Sequence, residues 1–351
     1  MKYELGSEFH WENIPKNDVT KWPPNCLFTS MGRAPLIMLW KQFCGPKAKV
    51  YIPEYFCEEV IEYWKSYGLN IVFYQDNPTL KEPCFKSLKA TDGDIVLAVN
   101  YFGMKDGVSW KKWKKINPNI LLVEDHTHDP VSVWALTSNS DFCFASLRKT
   151  LPISDGAILW SPAKFDIFND LPDMNLKDSS MKLSAMFLKS LYITDGITEV
   201  KDAYRALQID GEYVLSQLDI TKISIMSSIQ IKDGYPNSFR EKRIRNVKFF
   251  DKEFHSIVGA EHLTCSIPLG GSPFAAVILF DSNQKRNYVQ KYLISNSVYT
   301  PIHWAIDNLD LATASEISNR ILTIPFDQRY DESDVYKVIE MIKFSLECYD
   351  D

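Results

Sequence analysis

The sequence predicts an α/β protein: a large domain with a mostly parallel central sheet flanked by helices, followed by a smaller C-terminal α/β domain. Three observations predict it. Apolar Val/Ile/Leu runs of strand length recur between Lys49 and Trp160, separated by amphipathic helical segments, the pattern of strands buried on both faces. Gly234 and Pro236 then punctuate the chain before a second set of helix and strand signals. Finally, 351 residues correspond to about two domains of roughly 150 residues each, with ample core for both. The expected division is an N-terminal arm over 1–25, a large domain over 26–235 and a small domain over 236–351.

In chain order, the polar arm ends at the Trp22-Pro23-Pro24 break. TSMGRAPLIMLWKQF follows, with Ser30 as N-cap, Pro35 in the first turn and apolar residues at helical spacing to Phe43. Gly32 and Arg33 stand at its N-terminus, where free amides and a guanidinium suit an anion, although any capped helix has free amides. KVYIP reads as a strand, EEVIEYWKSYG as a helix closed by Gly68, and NIVFYQ and DIVLAVNYFG as strands. SWKKWKKI is a short helix with Trp110 and Trp113 toward the core, and ILLVEDH is the next strand. DFCFAS is another, Pro152 and Asp155-Gly156 make a turn, and AILW returns. Residues 164–189 and 191–218 are expected as helices outside the sheet. A long amphipathic helix from Phe239 bridges the domains, and FAAVILF, SNQKRNYVQKYLISN and NRILTIP supply strand, helix and strand of the small domain.

Composition narrows the function classes. A hydrophobic content of 45% with 24% charged residues describes a soluble globule, and a net charge of -6 argues against nucleic acid or an anionic membrane as the main partner. The longest apolar runs, Ala34–Trp40 and Phe274–Phe280, are too short to span a bilayer, and Met1–Lys16 lacks the apolar core of a leader. Seven cysteines, with no Cys-x-x-Cys pair, read as free thiols in a reducing cytoplasm.

Ligands on parallel sheets bind at the carboxyl ends of the strands. That rule singles out Tyr55, Phe56, Asn100, Asp125, His126, His128, Ser146 and Lys149. Pinned between two buried strands, Lys149 would be desolvated toward the neutral amine, the form that attacks a carbonyl; taken alone, it also fits a surface lysine at a strand end. The cluster EDHTHDP, Glu124–Pro130, admits three readings. His126 and His128 with Asp125 or Asp129 would make a metal site, but no further histidine lies between His10 and His255. The cluster also reads as polar residues closing a strand. Third, Asp125 would hold the pyridinium nitrogen of pyridoxal phosphate and His128 would reach its ring hydroxyl, which also gives Lys149 a role. That cofactor needs a carboxylate at its ring nitrogen, a lysine for its aldehyde, a helix N-terminus for its phosphate and an aromatic for its ring face. Asp125, Lys149, Gly32 with Arg33, and Phe56 or Tyr55 supply these parts.

With those parts in that order, the chain resembles the DegT/StrS sugar aminotransferases, pyridoxal-phosphate enzymes of the aspartate-aminotransferase fold. The resemblance runs from Ser30 to the end and is carried by SMGRAPL, VYIPEYFCEEVIEYW, ILLVEDHTHDP, ASLRKTLPISDGAIL and NRILTIPFDQRYDESDVYKVIEMI. It implies that Lys149 bonds to the cofactor's aldehyde and later moves the proton, and that Asp125 partners the pyridinium nitrogen. It implies cofactor contacts from His128 and Asn100, ring stacking by Phe56, and a phosphate grip from Gly32, Arg33 and Ser146. It further implies a homodimer that transfers an amino group from glutamate or glutamine to a keto sugar, commonly nucleotide-linked, in surface-polysaccharide or related biosynthesis. Other reactions of the same cofactor, such as decarboxylation or dehydration, and a non-catalytic cofactor-binding relative are the alternatives; no metal is expected. Two features depart from the family pattern. Ser146 stands three residues before the lysine rather than five, with only Gly156 left of a glycine-rich tract, and Asn100 replaces a histidine common in relatives. Arg148 would either place a cation near the phosphate or pair with a carboxylate. His303 and Arg329, at strand or loop ends of the small domain, are expected to bind substrate.

Overall fold

Strands buried on both faces are mostly apolar, and IVLAV at Ile95–Val99 and FCFAS at Phe142–Ser146 are buried at every residue in the computed structural model, which describes residues 4–254, 257 and 259–350. The central sheet contains β1 (Leu27–Thr29), β2 (Lys49–Pro53), β3 (Asn70–Tyr74), β4 (Ile95–Val99), β5 (Leu121–Asp125), β6 (Phe142–Ser146) and β7 (Ala157–Trp160). Its spatial order is β1-β7-β6-β5-β4-β2-β3. Strands β2 to β6 run parallel, while β7 returns antiparallel beside β6 and carries β1 antiparallel on its outer edge.

The period-2 alternation of side chains assigns each face its own core. Leu97, Val123 and Phe144 pack with Leu36 and Ile37 of helix α1 (Ala34–Phe43) and with Trp64 of α2 (Glu58–Ser66). Val96, Ala98 and Leu122 pack on the opposite side with Trp110 of α3 (Val108–Ile116). The outer helices are shorter than the sequence reading. Pro162 and Pro172 keep the chain irregular until Asn175, whose side chain accepts from Lys177 N and starts α4 (Leu176–Thr194). Gly196, at φ +71°, ends that helix in the left-handed conformation, so α5 (Lys201–Ser216) is a separate helix packed back on α4.

The long helix α6 (Asn237–Phe254) leads into a second, antiparallel sheet of β8 (Ala260–His262), β9 (Ala276–Phe280) and β10 (Ile321–Ile324), in that order. Its core joins Val247 and Phe250 of α6 to Ile278, Leu322, Val289 of α7 (Asn283–Ser295) and Val338 of α8 (Glu332–Asp350). Side-chain hydrogen bonds join this body to the turn after β6, and a short strand pair joins it to the N-terminal arm. Buried Arg243 on α6 donates to Gln328 Oε1 and to the carbonyl of Thr150, which also accepts from Gln328 Nε2. At the other end of the chain, Leu5–Gly6 pairs in parallel with Val298–Tyr299. Among the described residues no helix is long and apolar enough to cross a membrane.

Phe250 is fully buried where α6 meets the second sheet. Phe250→Ala should therefore destabilise folding by about 3–5 kcal/mol, measured by urea denaturation; a loss well under 1 kcal/mol would contradict this packing.

Candidate active site

Parallel pairing aligns the carboxyl ends of β4, β5 and β6, and Asn100 N donates to the carbonyl of Asp125 across that edge. Asp125 is buried, and its Oδ1 accepts from Thr127 N at 2.8 Å. Burial raises its pKa, opposed by the hydrogen bonds from Thr127. Thr127 Oγ1 in turn accepts from Ser146 N at 3.0 Å, fixing the end of β6 beside Asp125. Gly32 closes on the same place: a Cβ at this position would stand 2.6 Å from the Cβ of Ser146, so a side chain there is excluded.

Helix α1 starts differently from the sequence reading. Arg33, not Ser30, holds the N-cap position, and no side chain caps the helix. Ser30 is fully buried with an unpartnered hydroxyl, while its carbonyl accepts from Gly156 N. One terminal nitrogen of Arg33 donates to the carbonyls of Leu215 and Ser216, 2.8 Å each, and the guanidinium lies 3.9 Å over the ring of Tyr63. Arg33 thereby satisfies carbonyls at the end of α5.

Lys149 ends the short turn Leu147–Lys149 after β6 and opens into a cavity of about 490 Å³. Its side chain is exposed to that cavity, and its Nζ makes no hydrogen bond or ion pair with any described residue. The neighbouring charge of Arg148, followed by burial, lowers the lysine pKa, against opposing contributions from Glu212 and Cys57. Arg148 itself is held by Glu212 in a bidentate pair, 2.7 Å on each arm. Burial pushes the Glu212 carboxyl up, but Arg148 and Lys182 outweigh it and hold that group well below the usual carboxylate range.

The remaining residues that the sequence singled out are distributed around this centre. His128 stacks between Phe102 and Phe274, at 5.4 and 4.5 Å, and its Nδ1 accepts from Phe102 N. Burial, with His303 and Lys149 nearby, depresses its pKa well below the ordinary value, so the ring is neutral and carries its proton on Nε2. His303 lines the Lys149 cavity, with Nδ1 3.1 Å from Thr323 Oγ1; burial and then Lys149 lower its pKa to about 3. Phe56 packs on Trp64 and Trp304 and is absent from the cavity wall, whereas the hydroxyl of Tyr55 donates to His303 O and accepts from Trp304 N. Arg329 also lines the cavity, paired with Asp327 and donating to the carbonyls of Gly6, Ser7 and Glu8. His126 and His128 do not converge. His126 lies among Glu124, Trp134 and Trp160, away from the aromatic stack around His128.

Sequence reasoning missed several members. Thr127 carried a local signal, since an aspartate commonly bonds the amide two residues on. Cys57, at the N-cap of α2, and Glu212, Lys182 and Glu8 carried none, because folding alone brings them to Lys149.

No family model matches the chain, and no curated protein sequence does. Solved structures do match over nearly its whole length. The PLP form of Spr1654 from Streptococcus pneumoniae, assigned as a sugar aminotransferase, aligns over 98% of this chain and 99% of its own, at 14% identity and a TM-score of 0.68. The aminotransferase TlmJ from Streptoalloteichus hindustanus aligns over 93% and 87%, at 18% identity and 0.63. The sugar aminotransferase CalS13 from Micromonospora echinospora aligns over 91% and 87%, at 17% identity and 0.60. The chain therefore has the aspartate-aminotransferase-like fold of pyridoxal-phosphate-dependent transferases.

Removing the cation beside Lys149 should raise its pKa, because both the lost Arg148 charge and the released Glu212 favour the ammonium. Arg148→Met is therefore expected to move the pH midpoint for labelling Lys149 with an amine-selective reagent upward from a wild-type value below the ordinary ~10.4 of lysine. Peptide mapping across pH checks this, and an unmoved midpoint contradicts it.

Proposed function

We propose that this protein is a pyridoxal-phosphate-dependent aminotransferase that moves an amino group from an amino acid, glutamate or glutamine, to a keto sugar. The observation that carries the reading is a convergence at one sheet edge: buried Asp125, the amine of Lys149 with no partner among the described residues, and Ser146 closed against a glycine that admits no side chain. The fold shared with structures solved in PLP and PMP forms supports it. Free cysteines and the net charge of -6 support a cytoplasmic protein, and we place it there as a homodimer.

The residues present fit the cofactor. Gly32 and Ser146 form the narrow cradle for its phosphate, beside the unpartnered hydroxyl of buried Ser30, and Arg33 adds positive charge at the helix start. Asp125 receives one amide bond on Oδ1 and offers its charge to the ring nitrogen, a contact worth about 1.5–3 kcal/mol. His128, with Nδ1 occupied, has only its Nε2 proton to donate to the ring hydroxyl. Asn100, whose buried Nδ2 has no partner, adds a donor at the same edge, and Phe56 belongs to the aromatic wall behind it. When bound, the cofactor supplies an aldehyde and an electron-accepting ring.

Lys149 performs the proton transfer. Because Arg148 and burial disfavour its ammonium, Nζ is available as a base that takes the proton from Cα of the amino donor. The same nitrogen then returns a proton to the carbon of the acceptor. Positioned transfer of this kind contributes on the order of a hundred- to ten-thousandfold. His303 and Arg329, in the cavity wall, border the substrate: His303 as a neutral ring, Arg329 by fixing the arm that roofs the space.

Asp125→Asn keeps size and one hydrogen bond but removes the charge. The variant should retain cofactor, while its half-reaction with the amino donor slows about a hundredfold or more, each tenfold corresponding to ~1.4 kcal/mol of barrier. Single-turnover absorbance measures it. A wild-type rate in the variant would rule out this role for Asp125.

A further inference from the structure

The Lys149 cavity differs from an anion site in which of its polar atoms remain open. Lys182 lies in its wall with a side chain only 3% exposed, and its three donors are all engaged, by Glu8 Oε1, Glu8 Oε2 and Glu212 Oε2. Arg329, 6% exposed, directs its five N–H groups to the two oxygens of Asp327 and the carbonyls of Gly6, Ser7 and Glu8. Arg148 is 15% exposed and grips Glu212 with both terminal nitrogens, while its buried Nε has no partner among the described residues. In front of these buried cations, the carboxylates that neutralise them stand open: the Glu8 side chain is 47% exposed and that of Glu212 43%. Thr300 adds an unpartnered hydroxyl to the same wall. Among the described residues of this wall, the cation with no carboxylate partner is Lys149, which the reaction uses. Arg205 lies beyond, in an adjoining outer cavity of about 470 Å³ that shares Glu8 and Glu212.

Resting on the amino-transfer reading above, we infer that Glu8 and Glu212 select substrates whose non-reacting end donates hydrogen bonds, and reject those whose far end is anionic. A hydroxyl, amide or ammonium entering the cavity meets carboxylate oxygens with lone pairs to spare. A carboxylate or pyrophosphate meets the same oxygens in front of the buried cations, so like charges face each other. The acceptor is therefore a free polyhydroxylated or amine-bearing carbonyl compound, not a nucleotide-linked sugar. Between the two common amino donors the cavity takes glutamine, since the α-carboxylate is shared and only the far end differs. Glu8 comes from the N-terminal arm, which makes the arm a determinant of specificity.

The test uses the pyridoxal-phosphate-loaded protein and follows cofactor absorbance in single turnovers with glutamine and with glutamate, without and with excess uridine diphosphate. The expected second-order rate constant is at least ~10-fold higher for glutamine, unaffected by the diphosphate, and the preference should fall severalfold in Glu8→Gln, where Lys182 gains a free charge. Equal or faster reaction with glutamate overturns the inference. So does competitive inhibition by uridine diphosphate, an unmoved preference in Glu8→Gln, or a loaded protein that reacts with neither amino acid. Failure to load cofactor at all would instead strike the amino-transfer reading itself, and this inference with it.

Discussion

The bidentate pair between Arg148 and Glu212 is the contact on which the site depends. An arginine next to a reactive lysine depresses the lysine's pKa, but a guanidinium buried without a partner would cost several kcal/mol. Glu212 resolves the conflict by neutralising Arg148 at 2.7 Å while leaving the Lys149 amine without a partner among the described residues. The same carboxylate binds Lys182, which binds Glu8. Through this chain of charges, the turn after β6, the α4–α5 hairpin and the N-terminal arm are held as one wall around the cavity. Truncating Glu212 would leave the guanidinium of Arg148 without its carboxylate, which is where the large penalty lies.

A second constraint acts on the backbone. The start of α1 approaches the end of β6 so closely that Gly32 has no room for a Cβ, and Thr127 ties Ser146 to the loop that carries Asp125. Three segments far apart in the chain thus meet at one point of the sheet edge. The parallel register, not local propensity, puts them there, and ligand binding at that edge follows from where the strands end.

This division explains what was legible in the sequence. Parallel strands, the β7 return and the small domain's alternation showed in periodicity, and Lys149 and Asp125 stood out because charged residues at the ends of buried runs are unusual. Helix limits were less legible: helices expected over 164–189 and 191–218 run over Leu176–Thr194 and Lys201–Ser216, set by Pro172 before the first and Gly196 after it. Least legible were the arginines. Arg33 meets carbonyls 182 and 183 residues away and Arg329 meets the arm across more than 320 residues, and no local pattern encodes such pairings. An arginine beside a phosphate-type helix start looks the same in sequence as one that closes a distant helix. Arg33 does both, standing at the start of α1 and satisfying carbonyls at the end of α5.

The claim at the centre is that Lys149 is the point of covalent contact with pyridoxal phosphate. Borohydride reduction of the reconstituted protein, digestion and mass analysis of the peptides tests it most directly. The account predicts a phosphopyridoxyl group on Lys149 alone; attachment at any other lysine, or none after reconstitution, would contradict it.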